Sequence, residues 1–122
     1  MKVLLGIGGS EDSLAALEKM IDRIERTGDD LTVAIVENPD TNRTPTELED
    51  RVKAALMDAD IDPVIRRVTG DPGSHLVEIA ETESFDAIAL GGGTESPMGK
   101  IRLGHIAEFV ILNANVTVIL VR

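Results

Sequence analysis

Apolar residues occur along the chain in two alternating patterns, short continuous runs and longer stretches with helical spacing. The first run is Lys2–Ile7, and residues 12–26 then carry apolar side chains at every third or fourth position. Short continuous runs are typical of strands covered on both faces, and the wider spacing is typical of an amphipathic helix. The alternation continues to the end of the chain and predicts five strands separated by four helices.

The boundaries of the later elements follow from the same pattern. The other predicted strands are residues 31–36, 64–68, 86–90 and 116–121. Thr44-Pro45-Thr46-Glu47 has the residues of a capping box and predicts the start of the second helix. The third helix is predicted to start at Asp71, and the fourth to run from about Gly99 to Asn113. Strand 64–68 is the least apolar, so we expect it at an edge of the sheet.

Strands that alternate with helices form βαβ units, which give a parallel sheet with helices on both faces. The chain has 122 residues and a mass of 13.1 kDa, the size of one domain. It contains no recognisable linker, repeat or low-complexity tract. We therefore predict a single α/β domain over residues 1–122, with an open five-stranded parallel sheet.

Acidic residues outnumber basic residues by 22 to 12, which gives a formal net charge of −10. This charge disfavours binding to nucleic acid, and high acidity with few lysines suggests a salt-rich cytoplasm. No apolar run approaches the roughly 18 to 20 residues of a membrane span, and the first run ends too early for a signal peptide. The chain has no cysteine, which excludes disulfides and thiolate chemistry. We expect a cytoplasmic protein that binds neither nucleic acid nor membranes.

Glycine is concentrated after two of the predicted strands. Gly8-Gly9 follows the first strand, and Gly91-Gly92-Gly93 follows the fourth. In doubly wound sheets ligands bind at the carboxyl ends of the strands, where the strand order reverses, and glycine leaves backbone amides accessible there. If these strands are neighbours, both turns line one crevice; otherwise the glycines only make tight turns. Thr94, Ser96 and Gly99 favour an anion site, because amides ahead of a helix N-terminus bind anions.

Three known nucleotide motifs do not fit these turns. In a Walker A loop four residues separate the glycines, whereas five separate Gly93 from Gly99, and Ile101 replaces the magnesium-binding hydroxyl. The dinucleotide fingerprint fails because Glu11 stands in place of its third glycine. A phosphoacceptor receiver domain needs acidic residues directly after the first strand, where this chain has Gly8-Gly9-Ser10.

The remaining pattern resembles the universal stress protein family over the whole chain, in the version common among salt-loving archaea. The segment from Val3 to Ser13 is similar to the family's first strand and its D-G-S turn. Gly91 and Gly104 are 13 positions apart, as in the family's nucleotide loop G-x2-G-x9-G-[S/T]. Residues 96–100 and 107–121 are also similar to the family's pattern.

The resemblance implies an adenine nucleotide alpha hydrolase-like fold with strand order 3-2-1-4-5, a homodimer and, in one branch, bound ATP or a related adenine nucleotide with magnesium. By position, Gly91 and Gly104 would flank the phosphates. The turn Gly8-Gly9-Ser10 would contact ribose and adenine, and Val36 would lie beside the adenine. The other candidate phosphate-binding residues are Gly92, Thr94, Ser96, Gly99, Lys100 and His105. Lys100 would neutralise phosphate, or it is an ordinary exposed lysine in the first turn of the fourth helix.

The sequence departs from the family's pattern at three candidate positions. Gly8 stands where ATP-binding members carry an aspartate, Thr94 replaces a glycine, and His105 replaces a serine or threonine. We expect Thr94 to resist the positive φ of the residue that it replaces. Each lost charge-assisted or hydroxyl contact typically costs about 1.5 to 3 kcal/mol. The sequence therefore retains the two glycine-rich turns and loses several side-chain contacts that would bind the nucleotide.

Three functions remain open at this point: a nucleotide-binding dimer, an interaction protein that has lost nucleotide binding, and a slow ATPase. The sequence shows no nucleophile–base pair, carboxylate dyad or metal cluster for the third. The last strand begins at Val116, ends at Val121 and is apolar almost throughout. If it lies at an edge, we expect it to pair with a second copy; the alternative is a monomer in which the fourth helix covers it.

Overall fold

In the computed structural model of the chain, the described residues are 1–38, 41–91, 94–95, 101–102 and 104–122. The strands are β1 (Lys2–Ile7), β2 (Asp30–Val36), β3 (Ile65–Val68), β4 (Ala87–Gly91), β5 (Thr94–Glu95), β6 (Ile101–Arg102) and β7 (Thr117–Val121). The helices are α1 (Glu11–Thr27), α2 (Pro45–Asp58), α3 (Pro72–Thr82) and α4 (His105–Asn113). All five predicted strands and all four predicted helices are present. No helix within the described ranges is long and apolar enough to cross a membrane.

Five strands form one parallel sheet in the order β3-β2-β1-β4-β7. Numbered within this sheet, the order is 3-2-1-4-5, which confirms the predicted fold class. β1 is central, and its Leu4 pairs with Thr32 of β2 on one side and Ile88 of β4 on the other. The chain moves outward from β1 to β3 and then returns to build β4 on the opposite side. The strand order therefore reverses between β1 and β4.

Helices cover both faces of this sheet. Because successive strand residues point to opposite faces, Val3, Leu5 and Ile7 of β1 face α1 and α2, whereas Leu4 faces α3 and α4. All four side chains are fully buried. Because helices cover both faces of β1, apolar side chains are buried on both of its faces. The continuous apolar run in the sequence predicted this arrangement.

Capping residues set the starts of the first two helices. Ser10 accepts a hydrogen bond from the Ser13 amide at 3.1 Å and begins α1. Thr44 accepts from the Glu47 amide at 3.2 Å, and the Glu47 carboxylate accepts in return from the Thr44 amide at 3.4 Å. This reciprocal pair is the capping box predicted from the sequence, and it satisfies two amides that helix geometry leaves without partners.

The fourth helix begins later than predicted. Ile101–Arg102 pairs antiparallel with Thr94–Glu95 as the hairpin β5-β6, and α4 starts at His105 with Gly104 as its N-cap. Ile101 fits the helical spacing as well as a strand, so the apolar pattern alone could not separate the two structures. The predicted start of the fourth helix near Gly99 was therefore wrong, because Ile101–Arg102 is a strand and the helix begins at His105. The prediction that Lys100 lies in the first turn of this helix falls outside the described residues.

Candidate functional site

The end of β4 and the turn that follows β1 lie next to each other at the carboxyl edge of the sheet. The two strands are parallel neighbours, with Leu5 of β1 opposite Ala89 of β4. A Cβ atom placed on Gly91 would lie only 2.8 Å from the Asp12 carbonyl oxygen and 3.1 Å from the Ser13 amide nitrogen. The end of β4 is therefore packed directly against the first turn of α1.

Hydrogen bonds within the first turn use part of its polar backbone. Gly8 and Gly9 are buried, whereas Ser10 is exposed. Gly9 has a φ of +87°, a conformation that favours glycine. Its amide donates to Ser13 Oγ at 3.1 Å, and that hydroxyl donates to the Ser10 carbonyl at 2.9 Å. The Gly9 amide is therefore bound inside the turn.

The loop between β2 and α2 packs onto the same turn. Thr41 Oγ1 donates to the Gly9 carbonyl at 3.2 Å, and Arg43 Nη1 donates to the same oxygen at 2.6 Å. Arg43 Nη2 also donates to Glu11 Oε1 at 2.8 Å. This guanidinium, through its hydrogen bond first and its charge second, holds the pKa of the Glu11 carboxyl below its usual range.

Sequence reasoning missed Thr41 and Arg43, because neither belongs to a glycine-rich turn or a known motif. The only available signal was topological. In a parallel sheet the segment after β2 reaches the same carboxyl edge as the segment after β1, so a cation there is a candidate site residue.

Val36 lies next to the first turn, but it is buried. A Cβ atom on Gly8 would lie 3.6 Å from Val36 Cγ2 and 3.3 Å from both Cβ and Nδ2 of Asn38. The ends of β1 and β2 are thus closely packed, and a larger side chain at Gly8 would press on Asn38.

The second turn of the candidate site is partly described. Gly91 is half-buried, and both Gly104 and His105 are exposed at the start of α4. Among the described residues, no atom lies within 4 Å of the position of a Cβ added to Gly104, and no side chain makes a hydrogen bond at the N-cap of α4. Thr94 pairs with Arg102 in extended strand backbone, so the expected conflict with a positive φ does not arise. The candidates Gly92, Ser96, Gly99 and Lys100 lie outside the described residues.

A separate cavity of about 240 Å³ lies beside the end of β3 and the start of α3. Its lining residues are Arg67, Val68, Thr69, His75, Glu78 and Ile79. None of them belongs to the turns after β1 and β4. Within the described part of the chain no group of three or more histidine, aspartate or glutamate side chains is placed to hold a metal ion.

The strand order and the two faces covered by helices define a doubly wound α/β domain. The sequence matches the model of the universal stress protein family over residues 1–122. The chain belongs to the universal stress protein family, and the predicted family is confirmed.

Solved structures of universal stress proteins share this fold. The protein from Archaeoglobus fulgidus in complex with dAMP is 20% identical, with a TM-score of 0.74 over 100% of this chain and 98% of that chain. A universal stress protein in complex with cAMP is 23% identical, with a TM-score of 0.75 over 98% and 94%. An Arabidopsis thaliana family protein with AMP bound is 13% identical, with a TM-score of 0.70 over 99% and 91%. Comparison with curated protein sequences gives no significant match.

Proposed function

We propose that this universal stress protein is a dimeric module that binds an adenine nucleotide in the crevice between the turns after β1 and β4. The proposal is carried by one observation: the strand order reverses between β1 and β4, and Gly91 at the end of β4 contacts the first turn of α1. This is the position at which doubly wound sheets hold their ligands. The dAMP, cAMP and AMP named in the structural neighbours support an adenine nucleotide as the ligand.

In this proposal the 5′-phosphates lie between Gly91 and Gly104, at the start of α4. Helix N-termini carry amides without intrahelical partners and a partial positive charge, and both favour phosphate. Gly104 is exposed and no described residue fills the space beside it, so a phosphate can approach those amides. His105 is exposed beside them and can donate from its imidazole. Magnesium would enter as the counter-ion of the phosphates when ATP is the ligand.

The ribose and adenine are then placed over the first turn, near Gly8, Ser10 and Val36. The buried apolar Val36 supplies the floor of this half of the site. The other proposed phosphate ligands come between Gly91 and Gly104 in the sequence; they are Gly92, Thr94, Ser96, Gly99 and Lys100.

Two substitutions at one position test the phosphate site. Gly104→Ser and Gly104→Asp both fit the open space and both supply a capping side chain, so we expect α4 to be stabilised by a few tenths of a kcal/mol to about 1 kcal/mol. Aspartate also places a negative charge where the phosphate binds. Calorimetric titration with 5′-AMP should show a loss of about tenfold or more in affinity for Gly104→Asp and little change for Gly104→Ser. Equal affinities for the two variants would contradict the proposed phosphate position.

The proposed dimer forms through the edge strand β7. This strand has β4 on one side, and on the other side no strand of the described ranges pairs with it. Large exposed apolar side chains occur on this strand and on α4, the helix that precedes it in the sequence; they are Leu120, Phe109, Ile111 and Leu112. An apolar edge strand with unpaired backbone groups favours pairing with a second copy about a two-fold axis.

A second candidate function is an interaction protein that retains the fold and does not bind nucleotide. The observation that favours it is the internal bonding of the first turn, where the Gly9 amide is bound by Ser13 and the Gly9 carbonyl by Thr41 and Arg43. Thermal shift and calorimetry with ATP, ADP and AMP, with and without magnesium, discriminate the two functions. A slow ATPase would additionally require conversion of ATP to ADP at catalytic rates.

The proposed setting is a salt-rich cytoplasm, which the net charge of −10 supports. A dense acidic surface stays hydrated in concentrated salt. Loss of the fold in high salt would contradict this setting.

A further inference from the structure

One arginine from a distant part of the chain lies over the first glycine turn. Arg43 is separated from Gly9 by more than thirty positions, yet its guanidinium donates to the Gly9 carbonyl at 2.6 Å and to Glu11 at 2.8 Å. The Arg43 side chain is 33% exposed, so part of it is accessible from solvent. A guanidinium has further N–H donors in a planar fork, which matches the oxygens of a phosphate.

Glu11 is a weak competitor for this guanidinium. Its side chain is 84% exposed, and exposed ion pairs contribute little to stability. A phosphate monoester presents more oxygens than a carboxylate and carries more negative charge at neutral pH. An anionic ligand at the first turn can therefore displace Glu11 from Arg43 at small cost.

The charge at the first turn differs from that of a site built for free ribose hydroxyls. In nucleotide-binding α/β folds a carboxylate accepts hydrogen bonds from those hydroxyls, whereas a nearby arginine accommodates a phosphate on the ribose. Gly8 has no side chain, and its closest non-adjacent neighbours are the neutral Asn38 and Val36. Arg43 supplies the cation at the same turn, with Glu11 as its partner.

We propose that Arg43 determines ligand specificity, and that the site takes an adenine nucleotide carrying a phosphate monoester on the 2′ or 3′ oxygen of its ribose. This inference rests on the proposed function, which places the ribose over the first turn. On binding, the ligand phosphate takes the place of the Glu11 carboxylate on the guanidinium, while the Gly9 carbonyl keeps its hydrogen bond from Nη1. The 5′ position remains directed toward Gly91 and Gly104.

The three isomers 2′-AMP, 3′-AMP and 5′-AMP provide the test, because they differ only in the position of the phosphate. Each is titrated calorimetrically into the wild-type protein. We expect the 2′ or the 3′ isomer to bind at least as tightly as 5′-AMP, and the better of the two identifies the phosphorylated oxygen. If 5′-AMP binds and neither ribose-phosphate isomer does, this inference is overturned and the proposed function stands. If none of the three binds, both fail.

Substitutions assign the effect to Arg43. Arg43→Gln should lower the affinity for the preferred ribose-phosphate isomer by about tenfold or more, because a charge-assisted contact is lost. The affinity for 5′-AMP should change by less than about twofold. Glu11→Gln removes the competing carboxylate and should strengthen the preferred isomer several-fold. Gly104→Asp should have the opposite effect: the affinity for 5′-AMP falls and the affinities for 2′-AMP and 3′-AMP do not.

A purely structural role for Arg43 gives a different result. If Arg43 only holds the β2–α2 loop on the first turn, then Arg43→Gln lowers the affinity for all three isomers equally or leaves all three affinities unchanged. In that case Glu11→Gln does not raise the affinity for any isomer. Either result would overturn the inference. Thermal unfolding of each variant shows whether it is folded, and Arg43→Lys, which retains the charge without the planar fork, should lie between wild type and Arg43→Gln.

Discussion

Gly91→Ala is expected to lower the free energy of unfolding by about 1 to 3 kcal/mol, the usual cost of overpacking. The new Cβ atom would lie 2.8 Å from the Asp12 carbonyl oxygen and 3.1 Å from the Ser13 amide nitrogen. Both atoms belong to the backbone of the first turn of α1, so neither can rotate away as a flexible side chain could. Relief requires β4 and α1 to move apart, which disturbs the packing on one face of the sheet.

Gly104→Ala is the matched control, since no atom of the part of the chain that the structure describes lies within 4 Å of the added Cβ atom. Its cost should be about 0.5 to 1 kcal/mol, because alanine is a much poorer N-cap than glycine. Chemical denaturation measures both free energies. A Gly91→Ala variant as stable as its control would show that the end of β4 does not approach α1 this closely. Because substitutions at Gly91 act on the fold, loss of ligand binding in them is ambiguous, and position 104 is the better probe of the site.

Leu120→Glu is expected to convert the proposed dimer into a monomer. Leu120 is 37% exposed on the edge strand β7. A carboxylate buried in an apolar interface loses its hydration without gaining a partner, and charged residues on edge strands prevent pairing. The dimer dissociation constant should rise by roughly a hundredfold or more.

Met57→Glu serves as the control for this substitution. Met57 is 60% exposed on α2, whereas β7 lies at the edge of the sheet opposite to β3. Sedimentation velocity over a range of protein concentrations should give a dimer for wild type and Met57→Glu, and a monomer for Leu120→Glu. A wild-type protein that sediments as a monomer at every concentration would exclude pairing through β7.

The sheet was predictable because several independent patterns in the sequence agreed with one another. Lys2–Ile7 is apolar at consecutive positions, which requires a strand covered on both faces, and helices do cover both faces of β1. The arginines at positions 66 and 67 marked β3 as an edge strand, and β3 is at the edge. The capping box at Thr44 needed only residues close in sequence, and such local hydrogen bonding is well determined by sequence.

The hairpin β5-β6 and the position of Arg43 could not be predicted in the same way. Pairing of Thr94–Glu95 with Ile101–Arg102 depends on a short antiparallel contact, whereas the apolar side chain of Ile101 also suited a helix. The bond from Arg43 to Gly9 joins residues 34 positions apart and arises only when β1 and β2 lie side by side. Residue propensity and apolar spacing describe only local structural preference, so they do not predict contacts that depend on tertiary packing.

The most direct measurement is an NMR titration of the isotope-labelled wild-type protein with 5′-AMP. If the nucleotide binds where the strand order reverses, the largest amide shifts will occur at Gly8, Gly9 and Ser10 and, across the crevice, at Gly91 and Gly104. Shifts centred instead on the cavity beside β3, at Arg67 and His75, or no shifts at saturating nucleotide, would contradict the account.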